Sequence, residues 1–170
     1  MSNSWFKKQM GMYFAYHQNP YNCILHFLGV PLILLAVLVF LSKLSVLNIN
    51  NLNISLGDFL FFSLLLLYLI FIPIMGFVSI VLYFPLYWFS QYIILGYLGN
   101  SLIIAIFCFV LGWALQFLGH VFEKRKPAFL DNALQIFMAP GFLVIELLVS
   151  AGFCRDLVIQ LEQESESFKN

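Results

Sequence analysis

The strongest constraint on this fold is the stretch from residue 59 to residue 122, which contains no Asp, Glu, Lys or Arg. The whole chain is 62% hydrophobic and 9% charged, whereas a soluble domain is about half apolar and a quarter charged. The excess is too large for the core of a 170-residue protein, so the sequence predicts that lipid solvates much of it. Net charge is zero, so no nucleic acid or other polyanion is expected as a partner.

Hydropathy and helix signals predict an all-α fold, a polytopic bundle of four transmembrane spans. Asn19-Pro20 is a helix start, because Asn caps free N–H groups and Pro suits the first helical position. The expected spans are residues 24–41, 59–81, 84–99 and 101–119. One long helix bent at Pro73 plus an interfacial segment is the alternative for the middle of the chain.

The remaining segments complete a single membrane domain over residues 1–170. Residues 1–18 have apolar side chains at helical spacing beside lysines, which predicts an amphipathic helix on the membrane surface. A loop outside the bilayer is expected at 42–58, which holds Asn48, Asn50, Asn51 and Asn53. Residues 133–153 form either a fifth span or a re-entrant helix pair in one leaflet. The polar tail, 155–170, is expected to be a helix that frays into solvent.

The distribution of positive charge predicts the orientation. Lys7 and Lys8 precede the first span, and Lys124, Arg125 and Lys126 follow the fourth. Cytoplasmic segments are enriched in such residues, so both regions are expected in the cytoplasm. The sequence therefore predicts a multi-pass membrane protein. Its expected location is the inner membrane in a bacterium or the endoplasmic reticulum in a eukaryote.

This topology brings the three histidines of the chain, His17, His26 and His120, to one face of the membrane. Imidazole is a common ligand of Fe, Zn, Cu and Ni, so a metal site is predicted there. Glu123 lies three residues after His120 and can face the same point of the helix. Ordinary interfacial histidines are the alternative. Candidate groups to orient the imidazoles are Tyr16, Asn22, Gln116, Asp131 and Asn132.

Two motifs resemble a known family. YHQNPYNCILHFLGVP and, later, GHVFEKRKPAFLDNALQIFMAPGFLVIE are similar to the motifs of the small membrane 2-hydroxy-fatty-acid dioxygenases. The resemblance implies an Fe(II) enzyme that uses molecular oxygen to shorten a 2-hydroxy fatty acid by one carbon (α-oxidation). It implies that His17, His26 and His120 are catalytic metal ligands. Glu123 occupies the motif glutamate, and we expect it to be either a fourth ligand or an acceptor behind the ligands.

Two other hypotheses stay open at this point. The chain could be a different metal-dependent membrane lipid enzyme, for example a zinc hydrolase. It could also be a non-catalytic membrane scaffold whose histidines are only interfacial. The lipid bilayer is the expected partner in every case.

Overall fold

The computed structural model describes residues 4–49 and 52–168. Helices dominate this part of the chain, in agreement with the predicted fold class, and one antiparallel hairpin of two short strands is added. The elements in order are α1 (Ser4–Ala15), α2 (Pro20–Leu41), β1 (Ser45–Ile49), β2 (Leu52–Ser55), α3 (Leu56–Phe71), α4 (Pro73–Ile94), α5 (Ser101–Glu123), a 3-10 helix (Ala128–Leu130), α6 (Gln135–Ser150) and α7 (Arg155–Glu166).

Three helices in the described ranges, α2, α4 and α5, are long and apolar enough to cross a membrane, and α3 and α6 are shorter apolar helices. Large apolar side chains point outward on the long helices, as in Val81 (73% exposed), Trp88 (74%) and Phe107 (66%). Such a surface is unfavourable in water and is typical of contact with lipid.

The predicted positions of the two middle spans are wrong. The break lies at Ile72-Pro73, between α3 and α4, and Pro85 is inside α4. Pro73 is the first residue of α4, where a missing N–H costs nothing, and Ile72 before it is extended, as residues preceding proline prefer. The position of Pro73 matches the site of the bend in the alternative interpretation, but the chain breaks there rather than bending.

The predicted loop at 42–58 is instead the β-hairpin followed by the start of α3. Ser45 pairs with Ser55 and Asn48 with Asn53. Ser55 then caps α3, since its hydroxyl accepts the N–H of Asp58 and the Asp58 carboxylate accepts the N–H of Ser55. The asparagines indicated a turn. The β-branched residues on either side of that turn favour strands, and the prediction of a loop did not take them into account. Asn50 and Asn51 lie outside the described residues.

Contacts divide the chain into two compact units, Met1–Leu28 with Leu115–Asn170, and Gly29–Ala114. In the second unit, the C-terminal half of α2 packs against the first half of α5. The cluster contains Leu35, Ala36, Val39, Ile93, Ala105 and Cys108. Tyr87 of α4 donates its hydroxyl hydrogen to Asp58 at the start of α3, at 2.6 Å. Helices α3 and α4 therefore run antiparallel.

In the first unit, α1 packs against α6 and α7. The predicted N-terminal helix is present, and its apolar face is covered by protein, because Phe6 and Met10 are fully buried.

The expectation that the C-terminal helix frays into solvent is wrong. Leu161 and Ser165 of α7 are fully buried. The helix approaches α1 so closely that a Cβ atom at Gly11 would lie 2.6 Å from the Cβ of Glu164. The sequence signal was weak, because only one side of this polar helix is buried.

Candidate metal centre

The three histidines lie together in the first unit. His17 follows α1, His26 lies near the start of α2, and His120 lies in the last turn of α5. All three are buried, and one ligand nitrogen from each lies within 4.8 Å of the others. The ring of His120 is 5.0 Å from that of His17 and 5.2 Å from that of His26, between centroids. The predicted convergence of the histidines is therefore found.

Backbone carbonyls determine which ring nitrogen carries hydrogen in two of the imidazoles. Nδ1 of His17 lies 2.7 Å from the carbonyl oxygen of Tyr13, and Nδ1 of His26 lies 2.9 Å from that of Asn22. A carbonyl only accepts hydrogen bonds, so both Nδ1 atoms must be donors. In the neutral rings, each Nε2 then carries a free lone pair.

The two Nε2 atoms face each other at 3.0 Å. Two lone pairs at that distance repel unless a proton or a cation lies between them. Burial, and then the neighbouring His26, lowers the pKa of His17 well below its usual range, which keeps this ring neutral. Two nitrogens bound at about 2.1 Å to one ion, at angles of roughly 90–110°, are about 3.0–3.4 Å apart. The donor set therefore fits a metal ion, and imidazole donors suit Fe, Zn, Cu and Ni.

Two aromatic rings that the sequence analysis did not assign to the site enclose His17. The Tyr13 ring stacks on it, with centroids 3.9 Å apart and planes 4° apart, and the Phe142 ring of α6 lies 5.4 Å away. The four-residue spacing of Tyr13, on α1, and His17, just after it, could have indicated the first contact. No comparable signal in the sequence indicated Phe142.

Glu123 accepts three N–H groups at the start of α2. Its carboxylate oxygens lie 3.0 Å from the backbone nitrogen of Gln18, 2.9 Å from that of Asn19 and 2.9 Å from Nδ2 of Asn22. A negative charge at a helix N-terminus is favourable there. Glu123 is not part of the group of ligand atoms that the histidines form.

Asn22 and Gly119 bring α2 and α5 together beside the cluster. Nδ2 of Asn22 donates to Glu123 and, at 3.3 Å, to the carbonyl of Tyr16. A Cβ atom at Gly119 would lie 2.3 Å from Oδ1 of Asn22 and 3.3 Å from Nδ1 of His26. A side chain at position 119 would therefore displace the Asn22 amide or separate the helices.

Three of the other predicted orienting groups, Tyr16, Asp131 and Asn132, bond elsewhere. Tyr16 donates its hydroxyl hydrogen to Asp131 at 2.6 Å, and Asp131 also pairs with Lys126. Asn132 donates to Oε1 of Gln9 at 2.6 Å. These side chains connect α1 to the segment after α5.

Arg125 contacts the segment before His17 and stabilises it. Its guanidinium lies 3.6 Å from the centre of the Tyr16 ring and donates to the carbonyls of Ala15 and Phe168. The Arg125 side chain is therefore engaged in internal contacts, whereas the neighbouring Lys124 is exposed.

Residues 3–151 match the family model described as "2-hydroxy-palmitic acid dioxygenase Mpo1-like". The chain belongs to the Mpo1-like family. A similar protein of this family is the 2-hydroxy-palmitic acid dioxygenase MPO1 of Saccharomyces cerevisiae. It is 32% identical over 162 residues, which cover 94% of this chain and 89% of the yeast protein. No solved structure matches the chain.

Proposed function

We propose that this chain is a membrane-embedded, Fe(II)-dependent dioxygenase that shortens 2-hydroxy fatty acids by one carbon. The observation that carries the proposal is the buried group of His17, His26 and His120. In this group the Nε2 atoms of His17 and His26, each with a free lone pair, are 3.0 Å apart. Membership of the Mpo1-like family and the activity named for the yeast relative support the substrate class and the reaction. The imidazole donors are compatible with iron but do not select it.

The three histidines would hold the ion, and a bound Fe(II) would supply the activation of molecular oxygen. The carbonyls of Tyr13 and Asn22 keep hydrogen on Nδ1, so that Nε2 stays available as a donor. Glu123 holds the turn that follows His17 against the end of α5. Burial of the rings limits the access of bulk water to the reacting centre.

We propose that the chain crosses the membrane four times, with helices α2, α3, α4 and α5. In the second unit α2 and α5 run antiparallel, since a Cβ atom at Gly112 would meet Ile33, while Ala105 lies in the cluster with Val39. The intervening α3 and α4 also run antiparallel, so together they add an even number of crossings. The 22 residues of α4 reach about 33 Å, enough for one crossing. The 16 residues of α3 reach only about 24 Å, so its crossing requires local adaptation.

We also propose that the histidine end of α2 faces the cytoplasm, because Lys7, Lys8 and the 124–126 segment lie at that end. Single cysteines at Lys8, Val46 and Ile74, in a background without native cysteines, would test orientation and topology. Membrane-impermeant reagent should label the Lys8 and Ile74 positions from the cytoplasmic side and Val46 from the other. Labelling of Ile74 from the same side as Val46 would contradict four crossings.

The central experiment measures metal content and oxygen uptake with 2-hydroxypalmitic acid, in protein purified without a metal-binding tag. Wild-type protein should contain iron and release a product one carbon shorter. His17→Ala, His26→Ala and His120→Ala should each lose nearly all activity and most of the metal. Tyr21→Ala is the control, because this side chain is 63% exposed. Zinc instead of iron would favour another metal enzyme, and three histidine variants with wild-type metal and turnover would favour a scaffold.

A further inference from the structure

Gln116 carries an unused hydrogen-bond donor one helical turn before His120 of the candidate metal centre. Its side chain is only 7% exposed, and its Nε2 atom has no partner. Five buried side-chain polar atoms lack a partner in the described residues. Three belong to the segments that bear the histidines: Asn22 Oδ1, Gln116 Nε2 and His120 Nδ1. Each unpaired buried polar group costs about 1–3 kcal/mol, so a cluster of them needs a functional reason.

Helical spacing places Gln116 on the face of α5 that meets the start of α2. Gln116 lies one turn before Gly119 and His120. Gly119 is in close contact with Asn22 and His26. An amide on such a face of a membrane-crossing helix is unfavourable unless it has a ligand or partner, so its position indicates function.

Orienting the imidazoles does not account for this amide. His17 and His26 are already oriented by the carbonyls of Tyr13 and Asn22. Nδ1 of His120 has no partner although Gln116 is one helical turn away. The donor is therefore free for a ligand that arrives at the histidines.

We propose that Gln116 is a specificity-determining residue, whose Nε2–H group donates a hydrogen bond to the 2-hydroxyl oxygen of the substrate head group. This inference rests on the proposed function. The acyl chain of a fatty acid offers no acceptor, so only the head group can satisfy the amide. A site that keeps a donor for a substrate oxygen discriminates against analogues that lack it, because the donor then stays unpaired.

The test uses metal-loaded full-length protein and compares binding of 2-hydroxypalmitic acid with binding of palmitic acid. Gln116→Leu and the more nearly isosteric Gln116→Met remove the donor, and Leu118→Ala, on an exposed position of the same helix, is the control. Both Gln116 variants should bind 2-hydroxypalmitic acid about 10- to 100-fold more weakly and palmitic acid within about twofold of wild type. Metal content should not change, and Tm should stay equal or rise because an unpaired amide has been removed.

Two results would overturn the proposal. Equal weakening of both fatty acids would mean that Gln116 only shapes the pocket. Loss of metal together with binding would mean that the amide supports His120. If wild-type protein itself does not prefer the hydroxylated acid, the proposed function fails before the variants are compared, and the assignment of Gln116 fails with it.

Discussion

Asn22 joins Glu123 to His26. Its Nδ2 atom donates to Oε2 of Glu123 at 2.9 Å, and its backbone carbonyl lies 2.9 Å from Nδ1 of His26. The carboxylate also accepts the N–H groups of Gln18 and Asn19, immediately after His17. Glu123 is thus connected to two of the three histidines without being part of their ligand group.

Glu123→Ala should therefore weaken metal binding without abolishing it. Loss of a group that orients ligands costs about 10- to 100-fold in metal affinity, whereas loss of a ligand cannot be recovered at moderate metal excess. Titration of metal-free protein with Fe(II) should show saturation of Glu123→Ala at higher concentration and no comparable recovery for His120→Ala. Glu162→Ala, exposed on α7, is the matched control. No binding by Glu123→Ala at any concentration would make Glu123 a ligand.

Gly119→Ala should disturb the site directly. The added methyl group would meet Oδ1 of Asn22 at 2.3 Å, so either the Asn22 amide must move, which disturbs its bond to Glu123, or α2 and α5 must separate. Overpacking of this kind costs about 1–3 kcal/mol. We expect a lower Tm and a lower iron content per protein, whereas Val121→Ala, which is 69% exposed on the same helix, should change neither. Unchanged iron content and Tm in Gly119→Ala would show that the Asn22 amide does not need to lie this close to Gly119.

The C-terminal helix should be required for stability. Leu161 is fully buried against the rest of the first unit, and removal of a buried leucine side chain costs about 2–5 kcal/mol. Leu161→Ala should lower Tm and increase proteolysis of the N-terminal segment, because α7 covers α1. Ile159→Ala is the control, as its side chain is 52% exposed. A chain truncated at Gln160 that keeps wild-type Tm and activity would contradict this role.

Asp131 should stabilise the fold in a pH-dependent manner. Hydrogen bonds from Lys126 and then from Tyr16 lower its pKa. The pKa in the unfolded chain, about 3.9, is therefore higher, so the carboxylate contributes stability above about pH 4. That contribution disappears as the pH falls through the folded-state pKa.

Asp131→Asn should have a slightly lower Tm than wild type at pH 7, and the difference should shrink below about pH 4 and vanish once the folded protein binds a proton at Asp131. Glu162→Gln, at an exposed position, should show no comparable trend. A difference that persists unchanged in acid would mean that the hydrogen bonds, and not the charge, carry the effect.

The sequence predicted a helix boundary correctly where the residues at the boundary themselves determine it. Helix α2 begins at Pro20, and Oδ1 of Asn19 accepts the N–H of Tyr21, as the capping argument required. The break in the middle of the chain has no such signal. Both Pro73 and Pro85 interrupt a continuously apolar stretch, and hydropathy cannot tell a proline that starts a helix from one inside it.

The histidine cluster was predictable, because the four predicted spans would bring His17 and His120 to one face of the membrane. The groups that orient the rings were not predictable. The acceptors are the backbone carbonyls of Tyr13 and Asn22, and every residue of the chain has a carbonyl. Side-chain type alone therefore predicted Asp131 and Asn132 as orienting groups, but these residues bond to other partners.

The ligands of the candidate centre come from the two ends of the sequence, and this separation has a consequence for biosynthesis. During translation, His17 and His26 emerge long before His120, so they can offer at most two nitrogens to an ion. The third becomes available only after the apolar middle of the chain has been made and α5 packs beside the start of α2. Under the proposed function, metal acquisition would be a late step of membrane insertion, and a chain that stalls before residue 120 would not acquire the complete centre.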